Sequence, residues 1–394
     1  MSHVDKKFNG DLIKILKEEY ESIFEDGSAK MTASRGKVHK YLRMTLYYTT
    51  KGLCKVTMLD YIEEVIKTFD KMDPKATGTK TSAAPSDIFV VKEDCTKITK
   101  EKSEKFHSVV AKILFATKRA RSYTVTEVSF LTNRVREPDK DDWSKLKHLI
   151  KYIRGTKEMP LILGTNGTGM PKWYVDGSYG VHPNMRGHSG GGLTMGRGFP
   201  VKDSKKQKLN TRSSTESEVV GVDDFMPGIL WIRNLMKAQD YDVVENIIFQ
   251  DNKSAMLLEK NGKKSSGKRK NHISICYFFV TDRINKGEVL VAWCPTDGMT
   301  GDLFTKPNQG SLFRSFGDLI TGVVDQPVPG PGKSKKVRTS TRSKSDNVKG
   351  DQVKPAGTTW PQECVGLPWV PDRQRTEAPV NDDQKEDQVS TYLR

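Results

Sequence analysis

Leu12, Ile13, Leu16, Tyr20 and Ile23 recur on one helical face and predict an N-terminal helix that Asp26-Gly27 ends. From Tyr41 to Met58 the period shortens to alternation, which predicts two strands around a turn at Lys51-Gly52. Helical spacing returns at Leu59, Ile62, Val65, Ile66 and Phe69. Ala76 to Ser86 is rich in Thr, Ser, Pro and Gly and reads as a loop. Two further amphipathic helices are predicted over Phe106 to Ala120 and Trp143 to Ile153.

A second stretch runs from about Pro171 to Val324. Trp173-Tyr174-Val175-Asp176 predicts a strand ending in an acid, and the Gly-rich run Gly187 to Gly198 predicts a hairpin. Ser214 to Ala238 carries a capping signature, Ser214/Thr215 before Glu218, and helical periodicity that Pro227 should kink or break. Asn246 to Asp251 reads as a buried strand ending in an acid, Asn252 to Leu258 and Ile273 to Ile284 as helices, and Val289 to Trp293 as a strand. That order predicts an α/β layer fold, with helices covering a mixed sheet.

Beyond Asp325 there is no usable periodicity. The Pro/Gly run 327–332 leads into Lys333, Lys335, Lys336, Arg338, Arg342 and Lys344 with no acid until Asp346, which predicts a disordered basic tail. It reads as a solvated tail, or as an RNA-binding or nuclear-import segment. Composition extends this picture. With 394 residues, at about 150 per domain, the chain holds two to three domains without needing disulfide or metal staples. Its 65 basic against 49 acidic residues leave +16, which favours a polyanionic partner. No apolar run reaches membrane-spanning length, and Met1 to Lys6 lacks a secretory signal, so no membrane is expected. Five scattered cysteines with no C-x-x-C pair disfavour a disulfide scaffold or a Cys-rich zinc site and fit a reducing, cytoplasmic or nuclear compartment.

The chemistry rests on four acids at element ends: Asp176 and Asp251 at strand ends, Glu218 one turn into the long helix, and Asp302 at the start of the helix after the last strand. If the strands of Asp176 and Asp251 are neighbours, both acids meet at one sheet edge, where open α/β sheets place their sites. Converging carboxylates repel unless a cation joins them, and all-oxygen ligands favour Mg²⁺ or Mn²⁺. Two such ions about 3.5–4 Å apart suit phosphodiester cleavage. Taken singly, each acid is a common surface residue, so the flanking sequence decides.

That flanking sequence resembles the ribonuclease H domain of copia-type LTR retrotransposon polyproteins. The matching stretches are Tyr174-Val175-Asp176, Ser204 to Glu218 (SKKQKLNTRSSTESE), Gln250-Asp251-Asn252-Lys253-Ser254-Ala255, His272-Ile273 with Tyr277-Phe278-Phe279, and Cys294-Pro295-Thr296 to Gly301-Asp302-Leu303-Phe304-Thr305-Lys306-Pro307. They stand in the family's order and spacing. The resemblance implies a ribonuclease H-like mixed sheet flanked by helices over residues 171–324 and metal binding by Asp176, Glu218, Asp251 and Asp302. Glu216, about 200° around the helix from Glu218, is then a non-catalytic neighbour. Residues 1–156 resemble the downstream end of the same family's reverse transcriptase. Val38 to Phe69 matches the strands and helix after the polymerase site, and Phe130 to Val135, Pro138, Asp141-Asp142-Trp143 and Tyr152 to Thr156 match the connection into ribonuclease H. The family's Tyr-x-Asp-Asp motif is expected just ahead of Met1 and is absent, so the chain is not expected to polymerise DNA alone. An upstream polymerase fragment of the same element is an expected partner.

The implied reaction is two-metal hydrolysis of the RNA strand of an RNA–DNA hybrid, with two Mg²⁺ or Mn²⁺ ions. Asp176 and Asp251 hold the metals, Glu218 holds one and helps orient water, and Asp302 completes the second site. Lys202, Lys205, Lys206, Lys208 and Arg212, and the run Lys260, Lys263, Lys264, Lys268, Arg269 and Lys270, are candidate backbone contacts to the hybrid. Several features depart from the family. Gly177 is expected to loosen the strand end. Asn271 and Cys276 stand where basic residues are usual, and no histidine lies between Pro295 and Gly301. His182 and His188 read as polar loop residues or at most phosphate contacts, and Asp297 as a loop acid. Gly221-Val222-Asp223-Asp224 echoes the polymerase motif but lies in a helix, where both acids are expected to be solvated. Two non-enzymatic readings stay open: a binding remnant without activity, and a basic chromatin or RNA adaptor acting through the tail.

Overall fold

A computed structural model describes residues 6–22, 31, 33, 35–74, 78, 82–262 and 274–325. Asp26-Gly27, residues 263–273 and the tail beyond Asp325 lie outside the described residues. Helix α1 spans Lys6–Glu21. Strands β1 (Val38–Tyr41), β2 (Met44–Tyr47) and β3 (Leu53–Thr57) follow, then α2 (Leu59–Asp70), whose Ile62, Val65, Ile66 and Phe69 are buried on the face that their spacing predicted. Helices α3 (Lys100–Thr117), α4 (Val125–Thr132) and α5 (Lys140–Gly155) complete the first half. A capping box starts α5: Asp139 accepts from the Asp142 backbone N–H, and the Asp142 side chain accepts from that of Asp139.

Strand β4 (Leu161–Thr165) leads into β5 (Lys172–Ser178), β6 (His188–Thr194), β7 (Gly196–Arg197) and β8 (Val201–Lys206). The long helix α6 (Ser214–Ala238), β9 (Ile247–Gln250), α7 (Lys253–Asn261), α8 (Ser274–Asn285), β10 (Leu290–Trp293) and α9 (Gly310–Thr321) complete the order. A 3-10 helix over Thr300–Phe304 carries Asp302, where an α-helix start was expected. Helix α6 runs unbroken through Pro227, so of the kink or break expected there the break does not occur.

These strands form two five-stranded sheets. One has the order β1-β2-β3-β4-β7, antiparallel throughout. The other has the order β10-β9-β5-β6-β8, with β10, β9 and β5 parallel, β6 antiparallel to β5, and β8 antiparallel to β6. The predicted hairpin over Gly187 to Gly198 is instead one central strand, β6, followed by β7, which crosses into the other sheet. Its glycines serve close packing rather than a turn. A Cβ on Gly190 would lie 2.4 Å from the Phe304 carbonyl oxygen, and one on Gly191 2.6 Å from that of Tyr174.

The second sheet is buried on both faces. Toward α6, Trp173, Val175 and Ile248 pack with Val222, Phe225, Met226 and Ile229. Toward the first half, Tyr174, Phe249, Phe199 and Phe304 join one core with Phe106, Val128, Leu131 and Leu146. Burial on both sides explains the runs of apolar residues in β5 and β9, which alternation alone would not give.

Candidate metal centre

Strand register brings two of the acids together. Tyr174 pairs with Phe249 across parallel β5 and β9, and their rings stack with centroids 4.9 Å apart. Two residues further along each chain stand Asp176 and Asp251, on the same face and at the same C-terminal edge. Glu218 arrives from α6. Ser213 caps that helix by accepting from the Glu216 backbone N–H. The helix lies against β5 because Gly177 has no side chain: a Cβ there would sit 2.3 Å from the Ser217 carbonyl oxygen. Gly177 thus tightens the strand end rather than loosening it, and its backbone N–H donates to Glu218 Oε2 at 2.9 Å. The result is one cluster in which a carboxylate oxygen from each of Asp176, Glu218 and Asp251 lies within 4.8 Å of the others.

Asp302 approaches from the 3-10 turn after β10. Lys306, one turn further on, donates to Asp302 Oδ1 at 2.7 Å and to Asp176 Oδ1 at 3.4 Å. The Thr305 hydroxyl donates to Asp176 Oδ2, and the Thr296 hydroxyl to Asp251 Oδ2 at 3.2 Å. Each of these three carboxylates is therefore oriented by a neighbour from the 296–306 segment.

The electrostatics follow from crowding. Burial, then the charges of Asp176 and Asp251, push Glu218 well above the ordinary carboxylate range, against the pull of Lys306 and the Gly177 N–H. Burial and Asp176 raise Asp302 to about 7, although Lys306 opposes them. Burial works against the Lys306 ammonium, but Asp176, Asp302 and Asp251 outweigh it and hold its pKa above the ordinary lysine value. Carboxylates crowded so that they raise one another's pKa mark a place short of positive charge. A hard divalent cation with oxygen ligands fits this donor set.

The basic candidates divide. Lys205 donates to the Asp224 carbonyl oxygen at 3.1 Å and lies 5.5 Å over the Phe225 ring. Lys206 is half-buried, with its pKa lowered by burial and by Arg186, while Lys208 and Arg212 are exposed. Lys202 is no surface contact: it is buried, donates to the Arg119 carbonyl oxygen at 3.1 Å, and burial lowers its pKa to about 7. Lys268, Arg269, Lys270, Asn271 and His272 lie outside the described residues.

The two histidines are not loop residues in water. His188 is wholly buried in β6, His182 Nε2 is 3.0 Å from His188 Nδ1, and His188 Nε2 is 2.7 Å from Ser204 Oγ. Burial lowers their pKa values to about 4 and about 3, so both are neutral near pH 7. Asp224 is half-buried and accepts from the Ser189 hydroxyl at 2.7 Å, so it is a packing residue rather than a solvated one. Glu216 accepts from the Arg212 backbone N–H at 2.7 Å, away from the acid cluster, and Asp297 is an exposed acid in the short 3-10 turn Thr296–Gly298 rather than in a loop. Sequence reasoning did not single out Thr305 and Lys306. Their signal was present: Lys306 stands four residues after Asp302, one helical turn away.

No family model matches the chain. The retrovirus-related Pol polyprotein from transposon TNT 1-94 of Nicotiana tabacum is 24% identical over 265 residues, 66% of this chain and 20% of that protein. The Pol polyprotein from transposon RE2 of Arabidopsis thaliana is 27% identical over 212 residues, 52% of this chain and 14% of that protein. The putative transposon Ty5-1 protein YCL074W of Saccharomyces cerevisiae is 25% identical over 187 residues, 47% of this chain and 59% of that protein. A foamy viral protease-reverse transcriptase, solved in complex with RNA/DNA hybrid, matches with a TM-score of 0.37 and 11% identity, covering 86% of this chain and 37% of the viral one. The chain thus spans only part of each of these proteins. In sequence it is a relative of the retrovirus-related Pol polyproteins of copia-type transposons, as its motifs implied.

Proposed function

We propose that this chain is a ribonuclease H that hydrolyses the RNA strand of an RNA–DNA hybrid. The observation that carries the reading is the meeting of Asp176, Glu218 and Asp251 within 4.8 Å at the end of two parallel strands. The copia-type motifs around those residues and the relation to Pol polyproteins support it. Residues 171–324 carry the hydrolytic part in this reading, and residues 1–156 correspond to the end of a reverse transcriptase.

Asp176, Glu218 and Asp251 would hold a Mg²⁺ or Mn²⁺ ion, and Asp302 together with Asp176 would hold a second. Bound there, the ions would supply Lewis-acid stabilisation of the attacking and leaving oxygens of a phosphodiester. The protein's own part is orientation. Thr305 and Thr296 fix the Asp176 and Asp251 carboxylates, and the Gly177 N–H fixes Glu218. Fixed groups need no reorganisation as charge develops. Lys205, Lys206, Lys208 and Arg212 would grip the hybrid through its backbone, together with Lys268, Arg269 and Lys270, and binding should weaken with salt.

The test is cleavage of a labelled RNA–DNA hybrid in Mg²⁺ or Mn²⁺ by the wild type and by Asp251→Asn. We expect cleavage by the wild type and a loss of about 10²-fold or more in the variant, the scale of losing one preorganised catalytic contact. Equal cleavage by both would point to another nuclease. Salt-sensitive hybrid binding by a folded chain that never cleaves would replace the hydrolase with an inactive nucleic-acid-binding remnant.

A further inference from the structure

Lys306 occupies a position that the proposed reaction leaves unexplained. Its ammonium lies between Asp302 and Asp176, at 2.7 Å and 3.4 Å, and these are the two acids assigned to the second cation. The three-acid cluster contains Asp176, Glu218 and Asp251 but not Asp302. One side of the centre is thus an open oxygen-ligand set, and the other side already holds a positive charge.

The backbone keeps that charge in place. The Lys306 N–H donates to the Asp302 carbonyl oxygen at 2.9 Å, so the two side chains share one face of a single turn. Thr305, between them, is anchored on Asp176. The Lys306 side chain is 41% exposed and reaches the acids from solvent, so its head has a route out that does not disturb the core. A divalent ion and an ammonium cannot both sit on the Asp176–Asp302 side, because like charges at contact distance repel strongly where water is scarce.

We propose that Lys306 is a tethered counter-cation that fills the second metal position in the free protein. It is a positioning residue in the sense that it sets how many metal ions the resting centre holds. Without nucleic acid the centre takes one divalent ion, at Asp176, Glu218 and Asp251. The second position opens when Lys306 swings away, and an incoming phosphodiester gives the ammonium another anionic partner. The inference rests on the metal-dependent reading above, but it concerns ion count rather than cleavage.

The experiment is Mn²⁺ titration of the full chain without nucleic acid, with free ion followed by electron paramagnetic resonance. Wild type, Lys306→Met, Lys306→Gln, Lys306→Arg and Asp251→Asn are compared, each checked for folding by circular dichroism. The expected result is one bound Mn²⁺ on the wild type and on Lys306→Arg. The two neutral variants should bind two, the second at least about tenfold tighter than any second ion on the wild type, the range of a typical two-site coupling. Two neutral variants are used so that the count does not depend on one of them folding. Two ions on the wild type, or one ion on the folded neutral variants, would overturn the proposal and leave the hydrolase reading intact. If no protein binds Mn²⁺ in an Asp251-dependent way, the proposal and the metal-dependent reading fail together.

Discussion

Glu259 is wholly buried in α7 and points at Gln250, the residue before Asp251. Gln250 Nε2 donates to Glu259 Oε1 at 3.3 Å, while Gln250 Oε1 and Glu259 Oε2 are buried and lack partners among the described residues. Burial raises the Glu259 pKa to about 8, with Lys260 opposing. The unfolded chain releases this proton near 4.5 and the folded one near 8, so the folded state binds more protons between those values. Its stabilising contribution is full below pH 4.5 and is lost as pH rises through 8. Glu127, also buried and raised to about 8, adds a slope of the same sign. Glu259→Gln keeps the shape and gives Gln250 Oε1 a donor. We expect it to be more stable than the wild type above pH 8 by on the order of 1–3 kcal/mol, the cost of a buried unsatisfied group. The difference should shrink toward pH 4.5, as urea unfolding at several pH values would show. Sequence could not find this pair, since the helix read from it ends at Leu258 and leaves Glu259 beyond its end. It did single out Asp176, Glu218 and Asp251, which the fold brings together, because each ends a strand or starts a helix and lies in a copia-type motif. It passed over Lys306, whose meaning comes only from the turn that folds it back onto Asp302.

At the scale of elements, spacing exposed the helices and strands with one apolar face and missed those whose inward positions are not apolar. Helix α2 was legible from Ile62, Val65, Ile66 and Phe69. Strand β8 was not, because its inward residues are Lys202 and Ser204. Strand β6 read as a hairpin because Gly190, Gly191 and Gly192 look like turn residues, whereas they let neighbouring chains approach. Gly190 shows the consequence for the site. A Cβ there would meet the Phe304 carbonyl oxygen at 2.4 Å and its Cβ at 2.7 Å, and Phe304 belongs to the turn that carries Asp302 and leads into Thr305 and Lys306. An alanine must push that turn outward, and backbone cannot yield as a flexible side-chain end would. Gly190→Ala should cost about 1–3 kcal/mol of stability, the usual range for overpacking. It should also lower hybrid cleavage by a larger factor than a destabilising change remote from the turn. Chemical unfolding beside cleavage assays at saturating Mg²⁺ would separate the two effects.

At the scale of the whole molecule, the acid-bearing turn leans on the first half of the chain. The Thr126 hydroxyl in α4 donates to the Leu303 carbonyl oxygen at 2.7 Å, with both residues buried. Gln309, just past Lys306, donates to the Ala84 carbonyl oxygen and accepts from the Ser82 hydroxyl. Beside these bonds, Phe199, Leu303, Phe304, Phe313 and Phe316 share a core with Phe106, Val110, Val128 and Leu131. Pattern and resemblance suggested a boundary between residues 156 and 171. No local signal in a sequence reports a contact 177 positions away, such as that of Thr126 with Leu303. Burying one phenylalanine or leucine side chain is worth about 1.5–3 kcal/mol, so several such faces laid bare together exceed what a small domain can spare. We therefore expect a chain beginning at residue 157 to expose that apolar face, bind a hydrophobic dye and self-associate, and to lose Asp251-dependent cleavage. Co-expression with residues 1–156 as a separate chain should recover both solubility and cleavage. A monomeric, active 157–394 fragment would instead show that the acid-bearing turn keeps its place without the Thr126 and Ala84 contacts.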